Sequence, residues 1–117
     1  MIKIDQLPIF KLKVKEYAKK YGKHSIARDL VTLQKTLTDN PSNAIPIKNK
    51  VYKIRLANSA LNRGKSSGYR VYYCYKDETG NIILMYIYSK KDQASLSDEE
   101  LDKLMQELLD NFPNCAN

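Results

Sequence analysis

Tyr69-Arg-Val-Tyr-Tyr-Cys-Tyr75, the turn Lys76-Asp-Glu-Thr-Gly-Asn81 and Ile82-Ile-Leu-Met-Tyr-Ile-Tyr88 follow one another without a break. Aromatic and β-branched residues of this kind fit a pleated, half-buried surface. Gly80 offers the positive φ that a hairpin turn needs. The stretch therefore predicts a β-hairpin. Alternation sets Tyr69, Val71, Tyr73 and Tyr75 on one face of its first strand, against Arg70, Tyr72, Cys74 and Lys76. In the second strand the same rule opposes Ile83, Met85 and Ile87 to Leu84, Tyr86, Tyr88 and Lys90. Upstream, Val51-Tyr-Lys-Ile-Arg-Leu56 predicts a third strand, with Tyr52, Ile54 and Leu56 opposite Val51, Lys53 and Arg55. Each strand thus has a greasy face and a face bearing Lys, Arg and Tyr.

The flanking sequence supplies layers for the greasy faces. Ile2 and Ile4 alternate with Lys3 and Asp5, which is consistent with a short strand. Pro8 suits a first helical position. Phe10, Val14, Tyr17, Ala18 and Tyr21 then recur at helical spacing, with lysines solvated around them and Gly22 as the stop. Ser25 is the expected cap of a second helix with the stripe Ile26, Leu30, Leu33 and Leu37, ended by Asp39-Asn40-Pro41. Ser42–Asn49 contains Pro46 and reads as a loop. Ser97 and Glu100 form a capping box for a last helix carrying Leu101, Leu104, Met105, Leu108 and Leu109. The expected fold is α+β: an antiparallel sheet of three to four strands packed on two N-terminal helices, its basic faces open, with a C-terminal helix. The 117 residues suit a single domain, 1–117.

Composition narrows the chemistry. The net charge of +7 divides unevenly: residues 1–76 carry 17 basic and 4 acidic side chains, residues 77–117 carry 3 and 9. Between Lys48 and Lys76 there are eight basic residues and no acid before Asp77. No apolar run approaches a membrane span, and the N-terminus lacks a signal-peptide core, so a cytoplasmic location is expected. Cys74 and Cys115 make neither a disulfide framework nor a zinc pattern, and two free thiols are expected. Ligand-spaced clusters are absent, so neither metal nor cofactor is expected. His24 has no orienting partner in the sequence and reads as a surface or capping residue. Gly64-Lys65-Ser66 resembles the end of a phosphate-binding P-loop, but Ser59 stands where its first glycine belongs, and the segment leads into a strand rather than a helix.

The outward set Lys53, Arg55, Arg70 and Lys90, with Tyr72, Tyr86 and Tyr88, remains. The bland account is a soluble basic face with ordinary sheet tyrosines. The functional account is a polyanion surface, where cations hold phosphate and tyrosines stack on unpaired bases. Clustered cations also depress the pKa of a lysine or tyrosine and fit it for proton transfer.

From Val51 to Leu108 the chain resembles the RelE/ParE superfamily of toxins from toxin–antitoxin modules, and its HigB-like branch in particular. The resemblance lies in Val51-Tyr-Lys-Ile-Arg-Leu56, Gly64-Lys-Ser-Ser-Gly-Tyr-Arg-Val-Tyr-Tyr73, Leu84-Met-Tyr-Ile-Tyr-Ser-Lys90 and Leu96-Ser-Asp-Glu-Glu-Leu101. It implies a small RelE-like toxin that enters the ribosomal A site and cleaves translated mRNA without a metal. The reaction implied is attack of a ribose 2′-hydroxyl on the adjacent phosphate, leaving a 2′,3′-cyclic phosphate and a 5′-hydroxyl. The resemblance gives Arg70 to the phosphate, Lys65 and Lys90 to phosphate or proton movement, and Tyr88 to stacking or proton transfer. Lys53 and Arg55 would steer the RNA, with Arg63, Tyr72, Tyr86 and Lys91 completing the RNA-binding surface. The implied partners are the ribosome, mRNA and an antitoxin with a helix-turn-helix part, with no membrane. Two alternatives stand beside this one: the ParE branch, which poisons DNA gyrase, and a non-catalytic basic RNA-binding domain.

Overall fold

The computed structural model describes residues 2–61 and 64–113. Strands β3 (Val51–Leu56), β4 (Tyr69–Lys76) and β5 (Asn81–Ser89) form the antiparallel meander that the alternation predicts. Two short strands extend it. β1 (Lys3–Gln6) pairs in parallel with β5, and β2 (Ile45–Lys48) pairs with β3, giving the order β1-β5-β4-β3-β2. The sheet is therefore mixed and five-stranded. β2 hides in the sequence because Pro46 has no N–H to give a ladder. Such a residue is confined to a sheet edge, which is where β2 runs, with a register shift between Pro46 and Lys48.

Helix α1 (Pro8–Tyr21) begins on its proline, and α2 (Lys23–Asp39) follows after Gly22 alone. Gly22, at φ 96°, ends one helix and caps the next, a conformation open to glycine. Ser25 is thus inside α2 rather than its cap, and its Oγ lies 3.0 Å from Ser59 Oγ. Helix α3 (Asp98–Asn111) starts with the predicted capping box, both bonds of which are made.

Two apolar cores result, one on each face of the sheet. Phe10, Tyr17, Ile26, Leu33 and Leu37 of α1 and α2 close on Leu56, Tyr69, Val71, Tyr73, Ile82, Leu84 and Ile87. Leu104 and Leu108 of α3 close on Val51, Tyr72, Cys74, Ile83, Met85 and Tyr88. The second core corrects the expectation of an open basic face: α3 covers the half of that face where its residues are apolar. Burying each leucine there contributes about 1.5–3 kcal/mol. Cys74 is buried in this core and joins no disulfide among the described residues, while Cys115 lies outside them.

The split predicted for β5 also needs correction. Tyr72 pairs with Tyr86 but Tyr73 pairs with Leu84, so Met85 is one residue too many and the strand bulges. The bulge reverses the phase of the alternation. Met85, Tyr86 and Tyr88 all join the α3 side with Ile83, and Leu84 and Ile87 join the other. Gly68 marks a second special point. A Cβ there would sit 2.2 Å from the Leu56 carbonyl oxygen and 2.8 Å from the Asn58 nitrogen, so only glycine lets the segment before β4 pass the end of β3.

Candidate nucleic-acid interface

The register of β3, β4 and β5 builds the site. Directly opposite residues share a face, with Cβ atoms about 5 Å apart. One row across the sheet reads Arg55–Arg70–Tyr88 and the next Lys53–Tyr72–Tyr86. Six residues singled out in the sequence are therefore neighbours on one surface. Lys53 Nζ stands 5.7 Å from the Tyr72 ring centroid, and the rings of Tyr86 and Tyr72 lie 6.2 and 6.3 Å from that of Tyr88.

Arg70 is only 6% exposed, and its Nη1 donates to the carbonyls of Lys65 at 3.0 Å and Tyr69 at 3.2 Å. One guanidinium thus fixes the backbone of the short 3₁₀ turn Lys65–Ser67. Lys65 and Lys90 are both exposed beside it, the Lys90 N–H donating to the Gly68 carbonyl at 3.0 Å. Lys91, also exposed, follows, its N–H on Ser89 Oγ at 3.3 Å. Arg63 lies outside the described residues.

Burial decides the protonation states. Tyr88 is buried, its hydroxyl donating to the Ala94 carbonyl at 3.2 Å, and burial pushes its pKa up to about 12 although Arg70 pulls the other way. Burial raises Tyr72 as well, opposed by a hydrogen bond from the Leu96 backbone and by the neighbouring Tyr88 hydroxyl. The expectation that the cations depress a tyrosine is therefore corrected: desolvation of a phenolate exceeds the Coulombic help. For lysine the expectation holds. Burial, then the charges of Arg70 and Arg55, lower Lys53 below its ordinary range. Burial and Arg55 also lower Arg70, which stays a cation at neutral pH.

Three further residues reach this region unannounced by the sequence. Lys13 of α1 stands 5.7 Å from the Tyr86 ring and pairs with Glu16 at 2.9 Å, so it is not among the solvated lysines. The Tyr17 hydroxyl donates to Asp92, in the turn just after β5, at 2.8 Å. Helical spacing marked Tyr17 only as core, and nothing marked Asp92. A cleft of about 160 Å³ adjoins Tyr86 between α1 and α3, but Glu100 and Glu107 line it, which disfavours phosphate. His24 lies exposed in the first turn of α2, on the layer behind the sheet. Among the described residues no group of His, Cys, Asp and Glu is placed to hold a metal ion, and no helix is long and apolar enough to cross a membrane.

The architecture is α+β and RelE-like. No family profile matches the sequence, and no curated protein matches it closely. Among solved structures, the chain is similar to the isolated E. coli RelE toxin, with a TM-score of 0.53 at 16% identity over 91% of this chain and 98% of that one. It is also similar to a double-arginine mutant of E. coli toxin RelE in the free state, with a TM-score of 0.51 at 17% identity over 95% of this chain and 97% of that one. At these identities the likeness is one of fold.

Proposed function

We propose that this chain is the toxin of a toxin–antitoxin module, of the HigB-like branch, and a ribosome-dependent endoribonuclease acting on mRNA in the cytoplasm. The observation that carries the reading is the pair of cross-strand rows, which set three cations and three tyrosines on one face of a RelE-like fold. Internal cleavage of RNA at a 2′-hydroxyl needs a base, a stabiliser of charge on phosphorus and an acid. Lys53, lowered by its surroundings, is the group suited to take the 2′-hydroxyl proton. The 2′-oxygen then bonds to phosphorus as the bond to the 5′-oxygen breaks. Arg70, set in the row between Arg55 and Tyr88, is the cation assigned to stabilise charge on the phosphorane. Tyr88 keeps its proton to about pH 12 and suits the donor to the departing 5′-oxygen once its hydroxyl turns from the Ala94 carbonyl. Arg55, Lys65, Lys90 and Lys91 follow the flanking phosphates, with Arg63 by its place in the sequence, and Tyr72 and Tyr86 offer ring faces to unpaired bases. An antitoxin with a helix-turn-helix part would be the partner that covers this face.

The test is induction in cells with 5′-end mapping of mRNA. Discrete in-frame cuts are expected from the wild type. Arg70→Ala should lower cleavage on the order of 100- to 1000-fold while remaining folded by circular dichroism. His24→Ala should cut normally. Full cleavage by Arg70→Ala would sink the site assignment. Intact mRNA with gyrase-linked DNA breaks would favour a ParE-like poison instead.

A further inference from the structure

The segment between β5 and α3 carries Lys90 and Lys91 and supplies the Ala94 carbonyl that receives the Tyr88 hydroxyl. It has no helix or strand of its own up to Leu96. Its anchor comes from the other face of the sheet. The Tyr17 hydroxyl of α1 accepts the Ser89 N–H at 2.8 Å and donates to Asp92 Oδ2 at 2.8 Å. Lys20 Nζ pairs with Asp92 Oδ1 at 2.9 Å. Within the segment the Asp92 N–H turns back to the Ser89 carbonyl at 2.9 Å, and the Lys91 N–H meets Ser89 Oγ at 3.3 Å. Tyr17 is 3% exposed and Ser89 is wholly buried, so one phenol oxygen organises a buried amide and a carboxylate at once.

These bonds do more than the fold needs. α1 is already held by Phe10 and the ring of Tyr17, which meets Tyr69 edge-on at 5.4 Å. The hydroxyl adds direction: it fixes where β5 ends and how the segment turns, and the turn sets where Ala94 stands. An irregular segment gains a defined geometry only from bonds to rigid elements, and α1 is the rigid element here.

We propose that Tyr17 and Asp92 are positioning residues, a latch through which α1 sets the Ser89–Ala94 segment and so, by way of the Ala94 carbonyl, fixes where the Tyr88 hydroxyl stands beside the proposed RNA-cleaving face. The inference rests on the nuclease reading above. Neither residue touches RNA; both act through Tyr88.

The experiment is a double-mutant cycle on cleavage by the full-length protein with mRNA-programmed ribosomes. Tyr17→Phe removes one oxygen and keeps the ring. It should lower kcat by about 10- to 100-fold, the scale of a misplaced reacting group. The half-saturating ribosome concentration should stay within about twofold, because the phosphate-holding side chains remain. In a Tyr88→Phe background the same change should cost nothing more, since both act through one hydroxyl. Asp92→Asn approaches the latch from its exposed end and carries the same cycle if Tyr17→Phe fails to fold by circular dichroism. Equal losses in both backgrounds would mean a general structural role and overturn the latch. Full activity of Tyr17→Phe or of Tyr88→Phe would overturn it too. Each of those results leaves the nuclease reading standing on Arg70→Ala. Absence of cleavage by the wild type would fail that reading first, and the latch with it.

Discussion

Replacing Gly68 by alanine tests the close approach of β3 and β4 in one atom. Its φ of −93° lies outside the left-handed region, so the clash that the added methyl meets is what the change tests. What it meets is the Leu56 carbonyl oxygen at 2.2 Å and the Asn58 nitrogen at 2.8 Å. A carbon and an oxygen in ordinary contact stand more than 3 Å apart, so one of two backbones must retreat by about 1 Å. Both adjoin the packed sheet, and overpacking of such a place costs typically 1–3 kcal/mol, or more where backbone must move. For a domain of this size each kcal/mol lowers the melting temperature by about 4 °C. A loss of roughly 4–12 °C is expected. The assay is thermal unfolding followed by far-ultraviolet circular dichroism, with urea titration at 25 °C for the free energy. Cleavage should fall as well, because the Gly68 carbonyl receives the Lys90 N–H. A Gly68→Ala protein melting within about 2 °C of wild type would refute the steric argument.

Lys53 is charged at a cost in the folded state, since burial and two arginines lower its pKa from the ordinary 10.5. That penalty is complete below the folded pKa and fades as pH rises from there toward 10.5. Lys53→Met should therefore be more stable than wild type near pH 7, by a margin that narrows toward pH 10 in urea titrations. The same residue predicts wild-type cleavage rising with pH through the neutral range, and a flat profile would count against it as the base. Affinity for single-stranded RNA should fall steeply with salt, with a log–log slope of about −0.7 per neutralised phosphate. A filter-binding series from 50 to 200 mM KCl that stays level would contradict an electrostatic face.

Much of the fold was legible in period alone. The stripe Phe10–Tyr21, the stripe Ile26–Leu37 and the Ser97–Glu100 box are local patterns, and each produced its helix. Which residues of β3 and β4 share the face of the site was legible too, because alternation needs only the strand itself. Three features needed tertiary information. The seat of α3 depends on Val51, Cys74, Ile83 and Met85 forming one patch, and these come from three strands whose register the sequence did not supply. The pKa direction of Tyr72 and Tyr88 depends on that cover, since an open sheet would leave their phenols solvated. The latch joins Tyr17 to Asp92 across 75 positions, and no local pattern reports a pair so distant in sequence.

Met85 has a consequence for lineage as well as for packing. β5 holds one residue more than β4 can pair, and its side chain is wholly buried. In an unbulged strand, losing a single codon would turn every later side chain to the opposite face. Here the loss of Met85 would leave Leu84 next to Tyr86, which is the alternation that a regular strand requires. Tyr86 and Tyr88 would keep their orientation, and the cost would fall on the core beneath α3. Related chains one residue shorter in this strand are thus tolerable variants, and a gap placed at Met85 is the one that keeps their aromatic residues in step.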